Sequence, residues 1–434
     1  MVKSIAAAVD DHLVSRLRDL ALPSAVAAAC ALGLGAMGLL TPAFTDYEVE
    51  VEPALNALRA GDISGFLGLA PAYGGSLLIR APFALLPDLW GGDDLAVFRS
   101  MAVPGLLAAA LLGVALWVRG RELGRPRVAC WIALLLVAGN PLTLRALEIG
   151  HPEEVLGAAL CVAAALVART RHSILAGALL GLALANKPWA VLAIVPIVWI
   201  AAGGRARLLL AAGATAAAVM LPLLLAGGVV DQATAVASNS GPIFQPWQVW
   251  WFFGDTGHVV TGSFGVKPDY RVPPGWLPGA MHPLIVLVTL GVSLLLLPRL
   301  RGREWHEGLL LLAFALLLRC VLDPWNVSYY CVPFLIALVA WEVHAHRFPV
   351  IAMVATLLSW VTLVTLPLEV GPDAQAIAYL AFALPLTIAL AVRLWSPRLL
   401  QRQYHRLRGA PPSHPAVRGR PRGGGDRQLD RAPA

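Results

Sequence analysis

Charge is scarce in this sequence. Asp, Glu, Lys and Arg make up 14% of the 434 residues, against 58% hydrophobic ones, and the mean hydropathy is +0.71. A soluble chain of this size could not hide so much apolar surface, whereas a bilayer accepts it on the outside. Period-two alternation is also missing: the apolar runs are continuous, which excludes a transmembrane β-barrel. Cysteine is limited to Cys30, Cys130, Cys161, Cys320 and Cys331, with no metal-ligand spacing, so these are expected to be small packing residues. No internal repeat stands out, which weakens an inverted-repeat transporter. The net charge is +7, but the arginines sit in short clusters between apolar runs. That is the positive-inside pattern of a membrane protein, and it argues against a nucleic-acid partner.

The chain therefore reads as an all-α polytopic membrane protein. Arg16 and Arg18 precede the first apolar run, roughly 21–41, and put the amino-terminus in the cytoplasm. With Asp10, Asp11 and Asp19 in the same stretch, this segment is a retained anchor and not a cleaved signal. Further spans are expected at about 95–118, 128–147, 153–168, 174–187, 188–203, 208–228, 283–298, 309–322, 331–343, 349–368 and 376–394. The turns bearing Arg119 to Arg127, Arg169 and Arg171, Arg205 and Arg207, Arg299 to Arg303, and Arg347 then all face the cytoplasm. This gives about twelve crossings with both termini inside. The segment 66–87, broken by Pro71, Pro82 and Pro87, becomes a re-entrant or interfacial element. Residues 1–20 are a cytoplasmic segment, and 21–394 one transmembrane domain with outer loops at about 42–94 and 229–282. Residues 395–434 are a basic tail expected to be disordered and to touch anionic lipid.

Several of these spans are too short for a bilayer of ~30 Å, most clearly the pair 174–187 and 188–203. These two meet at Asn186-Lys187-Pro188 and read as a broken hairpin bordering a cavity. Unusual chemistry collects on the same side as that apex. The first outer turn carries Asp46, Glu48, Glu50 and Glu52 on alternate residues; it suits either a short strand with one acidic edge or a helix opened by Pro53. The second runs from Arg145 through His151 to Glu153 and Glu154, and a later turn holds Asp323, Asn326, Tyr329 and Tyr330. Between them the long loop carries Trp247, Trp251 and His258. Its tryptophans fit an interfacial belt or stacking on sugar faces. His151 suits either a turn or a proton relay. Asn326-Val327-Ser328 formally matches a glycosylation sequon. Lys187 stands beside the free amides of a helix begun by Pro188, a place suited to a lipid phosphate, although a snorkelling lysine has the same signature. Ionisable groups gathered at span ends on one face mark a site.

The order of these pieces resembles a known family. An Asp follows the first span, then come Gly150-His151-Pro152-Glu153-Glu154, the hairpin from Ala176-Gly177 to Asn186-Lys187-Pro188, and a Trp325-Asn326…Tyr329-Tyr330 turn. Across roughly 20–395 the chain is similar to the GT-C glycosyltransferases, in particular glycosyltransferase family 87, whose members include polyprenyl-phosphate-mannose-dependent mannosyltransferases of actinobacteria. The resemblance implies a bundle with an outward-facing cavity, a polyprenyl-phosphate-linked sugar donor and a lipid or envelope-glycan acceptor. It also implies inversion at the anomeric carbon, no required metal or other cofactor, and an actinobacterial plasma membrane. The family's general base in the first outer loop maps onto Asp46, with Glu48 as the alternative. Where relatives often carry a Gln, this chain has His-Pro-Glu-Glu, so acceptor or sugar specificity is expected to differ.

Chemistry supports the same class on its own terms. In a single displacement one carboxylate takes the acceptor's proton, and cations or amides take up the charge of the departing phosphate. Lys187, Arg80 and Arg145 are the candidate phosphate partners, and His151 and His258 the candidate hydrogen-bond or relay groups. Glu153, Trp247, Trp251, Asp323 and Tyr329 complete the candidate substrate-binding set. Asp93 and Asp94 are adjacent, so they do not form the spaced pair that would hold a metal-bound nucleotide sugar. Two other classes remain: a transporter or flippase for a lipid or anionic solute, and a non-catalytic partner in an envelope complex.

Overall fold

A computed structural model describes residues 2–38, 46–228, 231, 244–257, 260–262 and 265–396. His258, the expected tail beyond residue 396 and most of the stretch 229–243 lie outside the described residues. The helices, in chain order, are α1 (Val2–Gly38), α2 (Glu52–Arg59), α3 (Ile63–Gly68), α4 (Gly74–Ala84), α5 (Asp94–Ser100), α6 (Val103–Glu122), α7 (Arg127–Ala138), α8 (Pro141–Ile149), α9 (Pro152–Ala168) and α10 (Ser173–Asn186). They continue with α11 (Ile194–Ile200), α12 (Arg205–Ala226), α13 (Leu277–Leu300), α14 (Glu307–Leu322), α15 (Val332–Ala345), α16 (Val350–Trp360) and α17 (Pro372–Trp395). Among the described residues the strands are one small antiparallel hairpin, Val260–Gly262 with Gly265–Lys267. The protein is an all-α polytopic membrane protein.

Eight helical stretches among the described residues are long and apolar enough to cross a bilayer. The other four expected spans correspond to the shorter helices α9, α10, α14 and the broken stretch Pro188–Ile200. Their placement explains their length. α14 and α9 are buried along almost their whole length, and the stretch Ser328–Ala345, which contains α15, is 89% buried, against 17% for Asp19–Met37. A helix that is apolar all round belongs inside. These three therefore form the centre, and longer helices surround them. α10 lies tightly on α12 through Gly177 and Gly181, the small-residue contact that membrane helices use to approach closely.

The bundle has two chemically different ends. At one, Arg125 donates to the carbonyls of Val343 and His344 at 2.9 and 2.5 Å, and Arg393 pairs with Glu307 at 3.0 Å. Glu342 reaches from α15 to cap the start of α16, accepting from the amides of Ile351 and Ala352 at 3.0 and 2.7 Å. The other end holds the turns at 46–51, 149–152, 186–188 and 322–328.

The acidic comb at that second end is helical, which removes the strand alternative. Asp46 precedes a π-turn, Tyr47–Val51, that runs into α2, with Pro53 in its first turn. Tyr47 and Val51 are buried in a small second core with Leu55, Phe66, Leu77 and Phe98, and the Tyr47 and Phe98 rings meet edge-on at 5.0 Å. The segment expected to be re-entrant, 66–87, forms short helices, among them α4. Gly75 presses α4 onto the end of α10: a Cβ there would stand 2.2 Å from the Ala185 carbonyl oxygen. Replacing Gly75 with Val should therefore separate α4 from α10 at a cost of about 1–3 kcal/mol. The check is the melting temperature of the detergent-purified variant, expected to fall by several degrees; an unchanged value would contradict this contact.

Candidate active site

Glu153 and Glu154 stand in the first turn of α9, where Pro152 pre-sets the helix and acidic residues face the positive end of the dipole. Both are nevertheless fully buried, and a buried carboxylate needs partners. Glu153 has three. Its Oε2 lies 3.1 Å from Arg80 of α4, and its Oε1 lies 3.0 Å from the Lys187 ammonium and 2.6 Å from His151 Nδ1. Its backbone carbonyl accepts from Asn186 at 2.8 Å. Glu154 faces Arg319 of α14 at 3.4 Å, with Lys187 at 3.8 Å.

Local sequence explains how each cation arrives. Pro188 bars its predecessor from the α region, so Lys187 is extended and breaks the hairpin as expected. Its ammonium sits 3.7 Å from the centre of the Tyr73 ring, a cation–π contact. Arg80 is steadied by Ser76 one turn earlier, at 3.0 Å. Arg319 lies 3.9 Å above the Tyr330 ring. His151 follows Gly150, which ends α8 with φ of 99°, a left-handed conformation that favours glycine.

His151 links this buried set to the comb. Its Nε2 is 3.1 Å from Asp46 Oδ2, and its ring centre is 4.7 Å from that of Tyr329. The Asp46 side chain is 32% exposed where Glu153 is 0%, so Asp46 is the member of the chain that a ligand can reach. Because both ring nitrogens face carboxylate oxygens, the geometry suits a doubly protonated imidazole. Burial alone would lower the His151 value, but Glu153 and Asp46 outweigh it and push it up to about 9. Glu50 joins at the rim, accepting from the Tyr73 hydroxyl. Burial, then Glu153 and Glu50, hold the Tyr73 phenol well above its usual range, so it remains the donor.

Other expected residues are placed differently. Glu48, the alternative base, is exposed, while Glu50 accepts from the Tyr73 hydroxyl. Arg145 pairs with Glu148 within α8 instead of joining the carboxylates. Trp251 is fully buried, stacked on Phe244 at 5.8 Å and donating to Asp373 at 2.7 Å, so it offers no open face to a sugar. Trp247 is also buried, and its carbonyl accepts from Asn326 at 2.7 Å. That bond and full burial remove Asn326 as a glycosylation acceptor. Asp323 accepts from the Trp325 amide at 3.0 Å and shapes its own turn. Arg319 was not anticipated. An arginine at the end of an apolar run opposite the basic turns is the signal that would have found it.

Three buried cations, Arg80, Lys187 and Arg319, thus face two buried carboxylates. His151 adds to the positive side, and Asp46 balances part of it from the rim. The buried cations can face an anion, and a half-buried carboxylate at the rim suits proton removal. Among the described residues no three His, Cys, Asp or Glu side chains are grouped as metal ligands; the carboxylates are paired with cations.

The family model for glycosyltransferase family 87 matches residues 75–324, more than half of the chain. The protein belongs to glycosyltransferase family 87. Its family match spans Arg80, His151, Glu153, Lys187 and Arg319, while Asp46, Glu50 and Tyr73 precede it and Tyr329 follows. No curated protein matches the chain. As a family 87 member it is a membrane glycosyltransferase, and the cluster at the Asp46 end is its candidate active site.

Two outcomes follow from the buried network. Glu153→Gln leaves Arg80 and Lys187 without their carboxylate, and should cost about 3–5 kcal/mol, read as a large loss of thermal stability in detergent. The raised His151 value makes its contribution complete below about 6.5 and lost as pH rises through about 9. Melting temperature should therefore fall from about pH 7 to about pH 10 in the wild type and change less in His151→Gln. Parallel curves would contradict the imidazolium bridge.

Proposed function

We propose that this glycosyltransferase moves a hexose, with mannose the family-weighted choice, from a polyprenyl-phosphate donor to a lipid or cell-envelope glycan acceptor. The reaction takes place in a cavity open to the extracytoplasmic face of an actinobacterial plasma membrane, with both termini in the cytoplasm. The observation that carries this reading is the pairing of a reachable carboxylate, Asp46, with the buried cations Arg80, Lys187 and Arg319.

In this reading Asp46 accepts the proton of the acceptor hydroxyl while its oxygen bonds to the anomeric carbon from the face opposite the phosphate. The bond from that carbon to the phosphate oxygen breaks, and the electron pair leaves with polyprenyl phosphate. The configuration inverts. His151 holds Asp46 in place, and Glu153 holds His151. Lys187 and Arg80, which already share Glu153, take up part of the phosphate charge, so no metal is required for the leaving group. Arg319 and Glu154 support the same wall. A transporter would need ionisable groups within the spans along a path, whereas this cluster gathers at span ends.

Removing the base should cost what general-base catalysis supplies, about 10²–10⁴-fold in kcat. The measurement is transfer of labelled mannose from a short-chain polyprenyl phosphate by purified wild type and Asp46→Asn, with melting curves confirming that both are folded. Near-normal turnover by a folded Asp46→Asn enzyme would refute this assignment.

A further inference from the structure

Asp46 and Glu50 are four residues apart across the π-turn Tyr47–Val51. Burying Tyr47 and Val51 fixes the turn's rotation, so the residues just before them share the neighbouring face. Both carboxylates are half-buried there, while Glu48 is exposed. Each rests on a ring: Asp46 on His151 and Glu50 on the Tyr73 hydroxyl. Those two rings meet edge-on with centres 5.9 Å apart. The two carboxylates therefore stand side by side on a common support at the rim of the cluster.

Each carboxylate uses one oxygen for that support. Asp46 engages its Oδ2 and Glu50 its Oε2; among the described residues no hydrogen bond reaches Asp46 Oδ1 or Glu50 Oε1. An ionised carboxylate only accepts, so each free oxygen calls for a donor such as a hydroxyl. Side chains one helical turn apart have Cβ atoms about 5–6 Å from each other, a separation that two hydroxyls of one sugar ring can bridge. A lone alcohol would satisfy Asp46 and leave Glu50 unused.

Building on the reading of Asp46 as base, we propose that Glu50 determines the acceptor: it accepts a hydrogen bond from a hydroxyl neighbouring the one that reacts at Asp46. The acceptor is then the polyhydroxylated end of a glycan or a polyol headgroup, not an isolated lipid alcohol or a seryl hydroxyl. Tyr73 is the positioning residue for Glu50. The same ring carries Lys187, so acceptor binding and the cations of the donor side meet on one side chain.

The test uses the purified full-length protein with farnesyl-phosphate mannose as donor. The acceptors are octyl α-mannoside, its monodeoxy analogues, and octan-1-ol as the lone-hydroxyl control. Octyl mannoside should be used and octan-1-ol should not. Apart from the reacting position, loss of one neighbouring hydroxyl should lower kcat/KM by about 10–100-fold in the wild type. In Glu50→Gln that penalty should shrink to about twofold, with intact octyl mannoside showing a raised KM and a nearly unchanged kcat. Tyr73→Phe keeps the ring beneath Lys187 and should shift KM in the same direction, with its melting curve reporting on folding. Equal use of octan-1-ol, or a full deoxy penalty retained by Glu50→Gln, would overturn the proposal while leaving Asp46 as base intact. Failure to consume donor with every acceptor would overturn the transferase reading and this one with it.

Discussion

A carboxylate with no exposure to water sets the terms for everything around it. Removing Glu153 from solvent costs several kcal/mol unless charge and hydrogen bonds replace the lost hydration. The replacements come from three places: Arg80 on α4, Lys187 at the break after α10, and His151 in the turn before α9. Meeting the demand of one group therefore fixes a short non-spanning helix, a broken hairpin and a helix start against one another. Gly75 of α4 and the Pro188 break are the backbone conditions that let the cations reach it. The same arrangement leaves His151 with a second nitrogen to hold Asp46, and so places that reachable carboxylate above the buried cations.

The contrast between the two ends of the bundle gives this economy its meaning. At the arginine-rich end the charged side chains serve helix termini and one another: Arg125 caps α15, Glu342 caps α16, and Glu307 joins Arg303 with Arg393. At the Asp46 end the charges converge from distant parts of the chain on a small volume, with Arg80, Lys187 and Arg319 buried and the carboxylates Asp46 and Glu50 at the rim. On the proposed reading, a lipid-borne phosphate meets these buried cations in a medium of low dielectric constant, where their attraction is strong. The chemistry assigned to the site asks only that the acceptor's proton and the phosphate's charge find opposite partners.

Much of the fold was legible because a bilayer leaves continuous apolar runs in the sequence, and each of the twelve expected runs has its helix. Their arginine-bearing turns gather at one end, as the alternation required. The break at Lys187 was legible through Pro188, and Asp46, Arg80, His151, Glu153 and Tyr329 are brought together as their types and positions suggested. Other features depended on geometry the letters do not carry. In the alternating comb nothing set Glu50 apart from Glu48, yet a π-turn with roughly four residues per turn puts it on the face it shares with Asp46. Arg319 was hidden in an apolar run, and its partner Glu154 lies far away in sequence. Trp247 and Trp251 read as open aromatic surface, but the loop that carries them folds onto α14 and the start of α17 and buries both.

The central claim is a single displacement driven by one carboxylate, with a phosphate leaving group. Its most direct test is the anomeric configuration of the first-formed product, read by nuclear magnetic resonance after transfer from a β-linked polyprenyl-phosphate sugar. The account predicts an α-linked product released together with one equivalent of polyprenyl phosphate. A β-linked product would require two displacements and a covalent intermediate, and would contradict it.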